Sequence, residues 1–232
     1  MIFVVAEIGV NWNGDFKTLE DMFIKAKEYD CDAVKLQCFE EELIKKHPKS
    51  SELIKSSVSK KNIETIEKIS QKIGIEWFAT PMYPDAVKLL NPYVNRFKIR
   101  HTDGVSIVNN KNSEILKLIL ETDKEVIISS EKTPKHCQYY DHSKIKWLYC
   151  VPKYPSLITD LDFSYLNDFD GYSNHSPEII VPITAAIMNS QIIEIHITSS
   201  KSKDYVDNPV SFDYKELEEM VKLIRISEQI KK

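Results

Sequence analysis

Histidines near the ends of two apolar runs are the first residues in this sequence that could do chemistry. The run Ile193–Thr198 alternates isoleucines with Glu194, His196 and Thr198, and His175 ends the preceding run. Successive side chains of a strand point to opposite faces, so the isoleucines can pack against helices while the polar residues point the other way. Two neighbouring imidazoles could bind one metal ion and leave open positions, as a Lewis-acid catalyst requires. The alternative is that each histidine is a hydrogen-bonded structural residue.

Lysines occupy equivalent positions in two other apolar runs. Lys35 precedes Gln37 by two residues and Lys98 precedes Arg100 by two, so each pair shares one face of a strand. Because a lysine in a closed interior needs an anion to balance its charge, Lys35 and Lys98 together indicate a phosphate or carboxylate ligand. The alternative is a buried salt bridge, for instance between Glu7 of the first run and Lys35.

Eight short apolar runs alternate with helical patterns along the chain, and this alternation must position those residues. The runs are Phe3–Val10, Ala33–Phe39, Ile75–Thr80, Arg96–Arg100, Glu125–Ser129, Ile145–Cys150, Gly171–His175 and Ile192–Thr198. Eight strand and helix units predict a (β/α)8 TIM barrel of the α/β class, with functional groups at the C-terminal strand ends. An open doubly wound sheet is the alternative, but no GxGxxG follows the first run. The weakest helical pattern lies in 131–144, which is polar and contains Pro134.

Composition restricts the domain organisation, the partners and the cellular compartment to be expected. A chain of 232 residues with 42% hydrophobic content fits one barrel domain over residues 1–232. The net charge of -4 argues against nucleic acid and membrane partners, because both require a basic surface. The four cysteines form no CxxC pair, and no apolar run is long enough to span a bilayer. We therefore expect a cytoplasmic protein with reduced thiols that acts on small molecules.

With the residues laid out in this order, the chain resembles the N-acetylneuraminate (sialic acid) synthase family and its pseudaminate and legionaminate relatives. The matching segments are Ala6–Gly14, Ala33–Gln37, Ala79–Pro81, Phe97–Ile99, Tyr154–Pro155, Gly171–Ser176 and Ile193–His196. The resemblance implies condensation of phosphoenolpyruvate with an N-acylated amino-sugar aldehyde, such as N-acetylmannosamine, to a nonulosonic acid and phosphate.

The resemblance also implies a role for each site residue. Those expected to bind phosphoenolpyruvate are Lys35, Thr80, Lys98, Ser129 and Ser173. Those expected to contact the sugar are Gln37, Tyr154 and Asp207. His175 and His196 would bind a divalent metal, Mn2+ or Mg2+, and Glu7 and Asp103 would serve as catalytic carboxylates.

The chain departs from the family pattern at several positions. The family has a first-loop histidine at Trp12, a serine at His101, an asparagine at Pro152 and a glycine at Glu131, and Asp103 replaces a glutamate. Family members also commonly carry a C-terminal antifreeze-like domain, which this sequence lacks. We therefore expect a homodimer or a separate chain that supplies the missing domain.

Two other functions remain open from the sequence. One is an aldolase that forms a Schiff base through Lys35 or Lys98, since a buried lysine can act as a nucleophile. The other is a degenerate barrel that binds a ligand or serves as a partner subunit, which the departures at His101, Pro152 and Glu131 would fit.

Overall fold

Eight parallel strands form a closed barrel in the computed structural model, which describes residues 1–230. The strands are β1 (Phe3–Gly9), β2 (Ala33–Cys38), β3 (Glu76–Pro81), β4 (Arg96–Ile99), β5 (Glu125–Ser130), β6 (Ile145–Tyr149), β7 (Gly171–Asn174) and β8 (Ile192–His196). Each strand pairs with the next along the chain, and β8 pairs with β1. The predicted TIM barrel is confirmed, and the open doubly wound sheet is wrong.

Helices cover the outside of the barrel. They are α1 (Phe16–Glu28), α2 (Glu41–Ile44), α3 (Ser50–Leu53), α4 (Ile63–Ile73), α5 (Pro84–Leu90), α6 (His101–Val108), α7 (Glu114–Leu120), α8 (Ile180–Ile187) and α9 (Tyr214–Ile230). Local side chains set several boundaries. Asp15 accepts a hydrogen bond from the backbone N–H of Lys17 at 3.0 Å and caps α1, and Gly74 ends α4 with a φ of 74°.

Two of the strand connections contain no α-helix. Residues 131–144, between β5 and β6, form turns instead of the fifth helix of the predicted repeat; this is the segment with the weakest helical pattern, and it contains Pro134. Between β6 and β7 the chain forms two short 3-10 helices, Ile158–Asp160 and Phe163–Asp168. The connections on both sides of β6 therefore lack the α-helix that covers the other strands.

The strand register brings the polar side chains of different strands together. Glu7 is paired with Lys35 on one side and with His196 on the other, and Ser173 is paired with Glu194. The intervening strand residues, such as Ile193 and Ile195, are buried in the apolar core. Alternation along β8 therefore points Glu194 and His196 into the barrel and the isoleucines towards the surrounding helices.

All four cysteines are buried and free. No helix within residues 1–230 is both long enough and apolar enough to cross a membrane.

Candidate active site

A cavity of about 230 Å³ opens at the C-terminal ends of the strands, where barrels place their functional groups. Its lining contains every predicted site residue except Asp103 and Asp207. A larger cavity of about 660 Å³ lies at the other end of the barrel. There Arg225 is already paired with Asp30, Asp32 and Glu228. We therefore place the functional site at the C-terminal strand ends.

The carboxylate of Glu194 lies at the centre of this cavity. Its Oε1 accepts a hydrogen bond from Ser173 Oγ at 2.8 Å and lies 3.6 Å from Lys35 Nζ and 3.9 Å from Lys98 Nζ. Burial by itself raises the pKa of Glu194, but the two ammonium groups outweigh it and the pKa is lowered. Glu194 is therefore an ionised counter-charge shared by β2, β4 and β7. The alternation along β8 placed it in the interior, but the sequence did not indicate this shared role.

Lys35 has close protein partners for its charge. Its Nζ lies 3.0 Å from Glu7 Oε2 and donates to Thr80 Oγ1 at 3.5 Å. Although burial opposes the charged form, the carboxylates of Glu194 and Glu7 raise the pKa of Lys35 above its usual value. The salt bridge between Glu7 and Lys35 is therefore present.

The charge of Lys98 is balanced less closely by carboxylates than that of Lys35. Its Nζ donates to Ser129 Oγ at 2.6 Å and to the carbonyl of Ile99 at 3.1 Å, and both partners are neutral. Burial lowers the pKa of Lys98, against the attraction of Glu194. An anion entering the cavity would find here a buried cation that has no carboxylate within hydrogen-bond distance among residues 1–230.

His175 and His196 face each other, with ring centroids 5.4 Å apart. His175 Nδ1 lies 2.7 Å from the carbonyl oxygen of Val151, so this nitrogen carries the proton and Nε2 keeps its lone pair. Burial lowers the pKa of His175, which favours the neutral imidazole that a metal ion binds. Tyr154 lies against both rings, and its hydroxyl is 3.3 Å from His196 Nε2.

Asp207 approaches the same end of the cavity from the loop after β8. Its Oδ2 lies 3.6 Å from His196 Nδ1. Both atoms are buried without a hydrogen-bond partner among the described residues. His196 beside it lowers the pKa of Asp207 despite its burial. No group of three or more His, Cys, Asp or Glu side chains within residues 1–230 is already arranged around a metal position.

The charge and donor types nevertheless fit a divalent cation. Three buried carboxylates, those of Glu7, Glu194 and Asp207, face two buried ammonium groups, those of Lys35 and Lys98. A divalent cation bound beside these carboxylates would offset their charge. His175 Nε2, His196 Nδ1 and Asp207 Oδ2 together offer two nitrogen donors and one carboxylate oxygen, a set that can bind a divalent ion such as Mn2+.

Gly9 makes room for the carboxylates. A Cβ at this position would lie 2.9 Å from Asp207 Oδ2 and 3.1 Å from Glu7 Oε1, and the φ of Gly9 is +53°. Gln37 Nε2, which donates to Glu7 Oε1 at 3.1 Å, would lie 3.3 Å from the added atom. Only glycine combines this backbone conformation with such a close approach.

Asp103 lies outside the cavity lining. Because α6 begins at His101, Asp103 falls in the first helical turn, where its Oδ2 accepts a hydrogen bond from Arg100 Nε at 2.8 Å. Arg100 itself lines the cavity. The sequence placed Asp103 at the site, whereas in this structure it contacts the site through Arg100.

Other lining residues come from positions to which the sequence assigned no role or an uncertain one. Cys150 Sγ lies 3.8 Å from His175 Nδ1, and burial raises the pKa of this thiol to about 11. Met82, Arg100, His101 and Pro152 also line the cavity. Cys150 and Arg100 directly follow β6 and β4, which is the signal that could have identified them.

The chain is similar to sugar-acid synthases over nearly its full length. The family model described as the NeuB family matches residues 22–232. An uncharacterized protein from Methanocaldococcus jannaschii is 28% identical, over 98% of this chain and 71% of that protein. The N,N'-diacetyllegionaminic acid synthase of Legionella pneumophila is 29% identical, over 98% of this chain and 72% of that enzyme.

A solved structure shares the fold. The N-acetylneuraminic acid (sialic acid) synthetase of Leptospira borgpetersenii, crystallised in complex with citrate, superposes with a TM-score of 0.86 and 26% identity. The match covers 99% of this chain and 84% of that one.

Proposed function

The chain belongs to the NeuB family, and on that premise we propose that it condenses phosphoenolpyruvate with an N-acylated amino-sugar aldehyde. The products would be a nonulosonic acid of the sialic type and phosphate. The proposal includes dependence on a divalent ion, Mn2+ or Mg2+. Its strongest support is the division of one cavity into a cationic side and a metal-donor side.

The cationic side suits the anionic substrate. Lys98 and Ser129 lie on β4 and β5, and Lys35 and Thr80 lie on β2 and β3. Two ammonium groups and two hydroxyls can offset and orient the phosphate and carboxylate of phosphoenolpyruvate through charge-assisted hydrogen bonds. Ser173, held by Glu194, adds a third hydroxyl.

The metal-donor side lies across the barrel from β4. His175 follows β7, His196 ends β8 and Asp207 follows β8. These three residues would hold the ion, with Tyr154 packed against both imidazoles. A bound divalent ion supplies Lewis-acid polarisation of the sugar aldehyde and charge neutralisation. Gln37 and Tyr154 would contact the sugar, and Glu7 would accept or return a proton within the cavity.

Product analysis tests the reaction. The purified protein is incubated with phosphoenolpyruvate and a panel of N-acylated amino sugars, with and without Mn2+, and phosphate release and product mass are measured. We expect release that requires both a sugar and the metal. Absence of release with every sugar would overturn the synthase proposal and favour a degenerate, ligand-binding barrel.

One observation favours a Schiff-base aldolase as a second candidate. Burial lowers the pKa of Lys98, so this amine loses its proton more readily than an ordinary lysine, and the neutral amine is the form that attacks a carbonyl. Borohydride treatment in the presence of substrate would then attach the substrate covalently to Lys98. The synthase mechanism forms no imine, so under that mechanism no adduct is expected.

A further inference from the structure

A histidine and a glutamate face each other beside β4 and β5. His101 Nε2 lies 3.8 Å from Glu131 Oε2, too far for a hydrogen bond but within reach of an ion pair when the imidazole is charged. His101 lines the cavity, and its Nε2 is buried with no hydrogen-bond partner among residues 1–230. We infer that His101 takes up a proton when a phosphate-bearing ligand binds, and that the resulting imidazolium bridges Glu131 and the phosphate. This inference rests on the proposed binding of phosphoenolpyruvate.

The backbone holds His101 at the cationic side of the cavity. His101 is the first residue of α6, and Gly104 in the same helix packs directly on the end of β5. A Cβ on Gly104 would lie 2.0 Å from the carbonyl oxygen of Ser129. Ser129 accepts a hydrogen bond from Lys98 and is followed by the segment that carries Glu131. His101 is therefore positioned beside the groups proposed to bind the phosphate.

The charged groups around His101 oppose one another. Burial is the main influence and lowers the pKa of His101; Glu131 raises it, and His175 and Lys98 lower it further. Arg100, the preceding residue, is paired with a carboxylate of α6. In the free protein at neutral pH the imidazole is consequently uncharged.

A neutral imidazole leaves the carboxylate of Glu131 unshielded beside the cavity. That carboxylate would repel an incoming phosphate dianion. The phosphate, however, also raises the pKa of the imidazole of His101 beside it. The protonated ring of His101 can interact favourably with both the carboxylate and the phosphate, and its additional proton comes from solvent. Because the pKa is higher in the bound state than in the free state, ligand affinity must fall as pH rises. The slope would approach about tenfold per pH unit where one proton is taken up per ligand.

Calorimetry measures this proton directly. Phosphoenolpyruvate is titrated into the protein near neutral pH in buffers of different ionisation enthalpy, and the dependence of the heat on the buffer gives the protons taken up. We expect an uptake approaching one proton per ligand, lost in His101→Gln. The matched control is His136→Gln, which changes an exposed histidine outside the cavity and should retain the uptake.

A second variant and a spectroscopic readout cover the case in which His101→Gln does not fold. Glu131→Gln removes the carboxylate that favours the imidazolium, so the uptake should move to lower pH. In the unmodified protein, the His101 ring resonances in NMR should shift to their protonated positions when phosphoenolpyruvate is added. Binding without proton uptake, or an uptake unchanged in His101→Gln, overturns this inference alone. Failure of phosphoenolpyruvate to bind overturns the proposed function and this inference with it.

Discussion

His196 Nδ1 lies 3.6 Å from Asp207 Oδ2, and neither atom has a hydrogen-bond partner within residues 1–230. Two buried, unpaired donor atoms at this distance from each other can both be satisfied by one cation. This contact is the observation that supports the proposed metal position on the β8 side of the barrel.

Removing either donor should weaken metal binding. His196→Ala and Asp207→Asn are each expected to raise the Kd for Mn2+ by at least about tenfold, because the first removes a nitrogen donor and the second removes the negative charge of an oxygen donor. Electron paramagnetic resonance of free Mn2+ measures this without any assay of turnover. Asp85→Asn, which changes an exposed carboxylate paired with Lys88, is the control. Unchanged Mn2+ affinity in both site variants would remove these residues from the metal site.

Lys98→Met should weaken the binding of phosphoenolpyruvate. The change keeps the apolar bulk but removes a buried charge whose nearest carboxylate among residues 1–230, that of Glu194, is 3.9 Å away. A charge-assisted hydrogen bond contributes about 1.5 to 3 kcal/mol, so the Kd should rise by roughly tenfold to over a hundredfold. Calorimetry measures the effect, and Lys72→Met, on the surface, should leave the Kd unchanged. An unaffected Kd in Lys98→Met would make this lysine structural.

Gly9→Ala and Gly74→Ala form a matched pair. Both glycines have positive φ, +53° and +74°, but nothing lies within 4 Å of an added Cβ at Gly74. Gly74→Ala should therefore cost only the left-handed backbone strain, about 1 to 2 kcal/mol of unfolding free energy. Gly9→Ala should cost more and should also weaken Mn2+ binding, because the new methyl group displaces Asp207. Urea denaturation measures the unfolding free energy and metal titration measures the Kd for Mn2+. Equal values for the two variants in both measurements would contradict this prediction.

Glu194→Gln should destabilise the protein in a pH-dependent manner. Removal of one partner from a buried ion pair costs on the order of 3 to 5 kcal/mol at neutral pH. Because the folded-state pKa of Glu194 is lowered, its contribution is present above the pKa of an unfolded glutamate, about 4.3, and is lost as pH falls through the folded-state value. Urea denaturation over a pH series should show the difference from the unmodified protein shrinking below about pH 4.

The control for that series is Glu125→Gln. Glu125 pairs with Arg96 at 2.6 Å but is partly exposed, so its loss should cost no more than about 1 kcal/mol. Equal losses in the two variants would show that Glu194 is not the central counter-charge.

Asp103→Asn should have a small effect on turnover. The carboxylate pairs with Arg100 at a partly exposed position and lies outside the cavity lining, so its loss should change kcat/KM by no more than about fivefold. Steady-state kinetics on the active sugar decide the point. A fall of several hundredfold would mean that Asp103 reaches the substrate and handles a proton.

Local patterns were sufficient to predict the barrel. The alternation of Ile193, Glu194, Ile195 and His196 indicates which side chains point inward, because strand geometry depends on neighbouring residues alone. The eight apolar runs likewise predicted the eight strands, whereas the helix expected in 131–144, where the pattern was weakest, is absent. The family resemblance was also present in short, ordered segments of sequence, and the match to the NeuB family confirmed it.

Which polar side chains pair with each other depended on the tertiary structure. Lys35 and Lys98 look equivalent in sequence, yet Lys35 has Glu7 at 3.0 Å, whereas the nearest carboxylate to Lys98 is Glu194 at 3.9 Å. Asp103 points to Arg100 because α6 begins at His101, and His101 meets Glu131 because Gly104 allows α6 to pack on β5. Charge interactions depend on distances between residues far apart in the chain, and only closure of the barrel sets those distances.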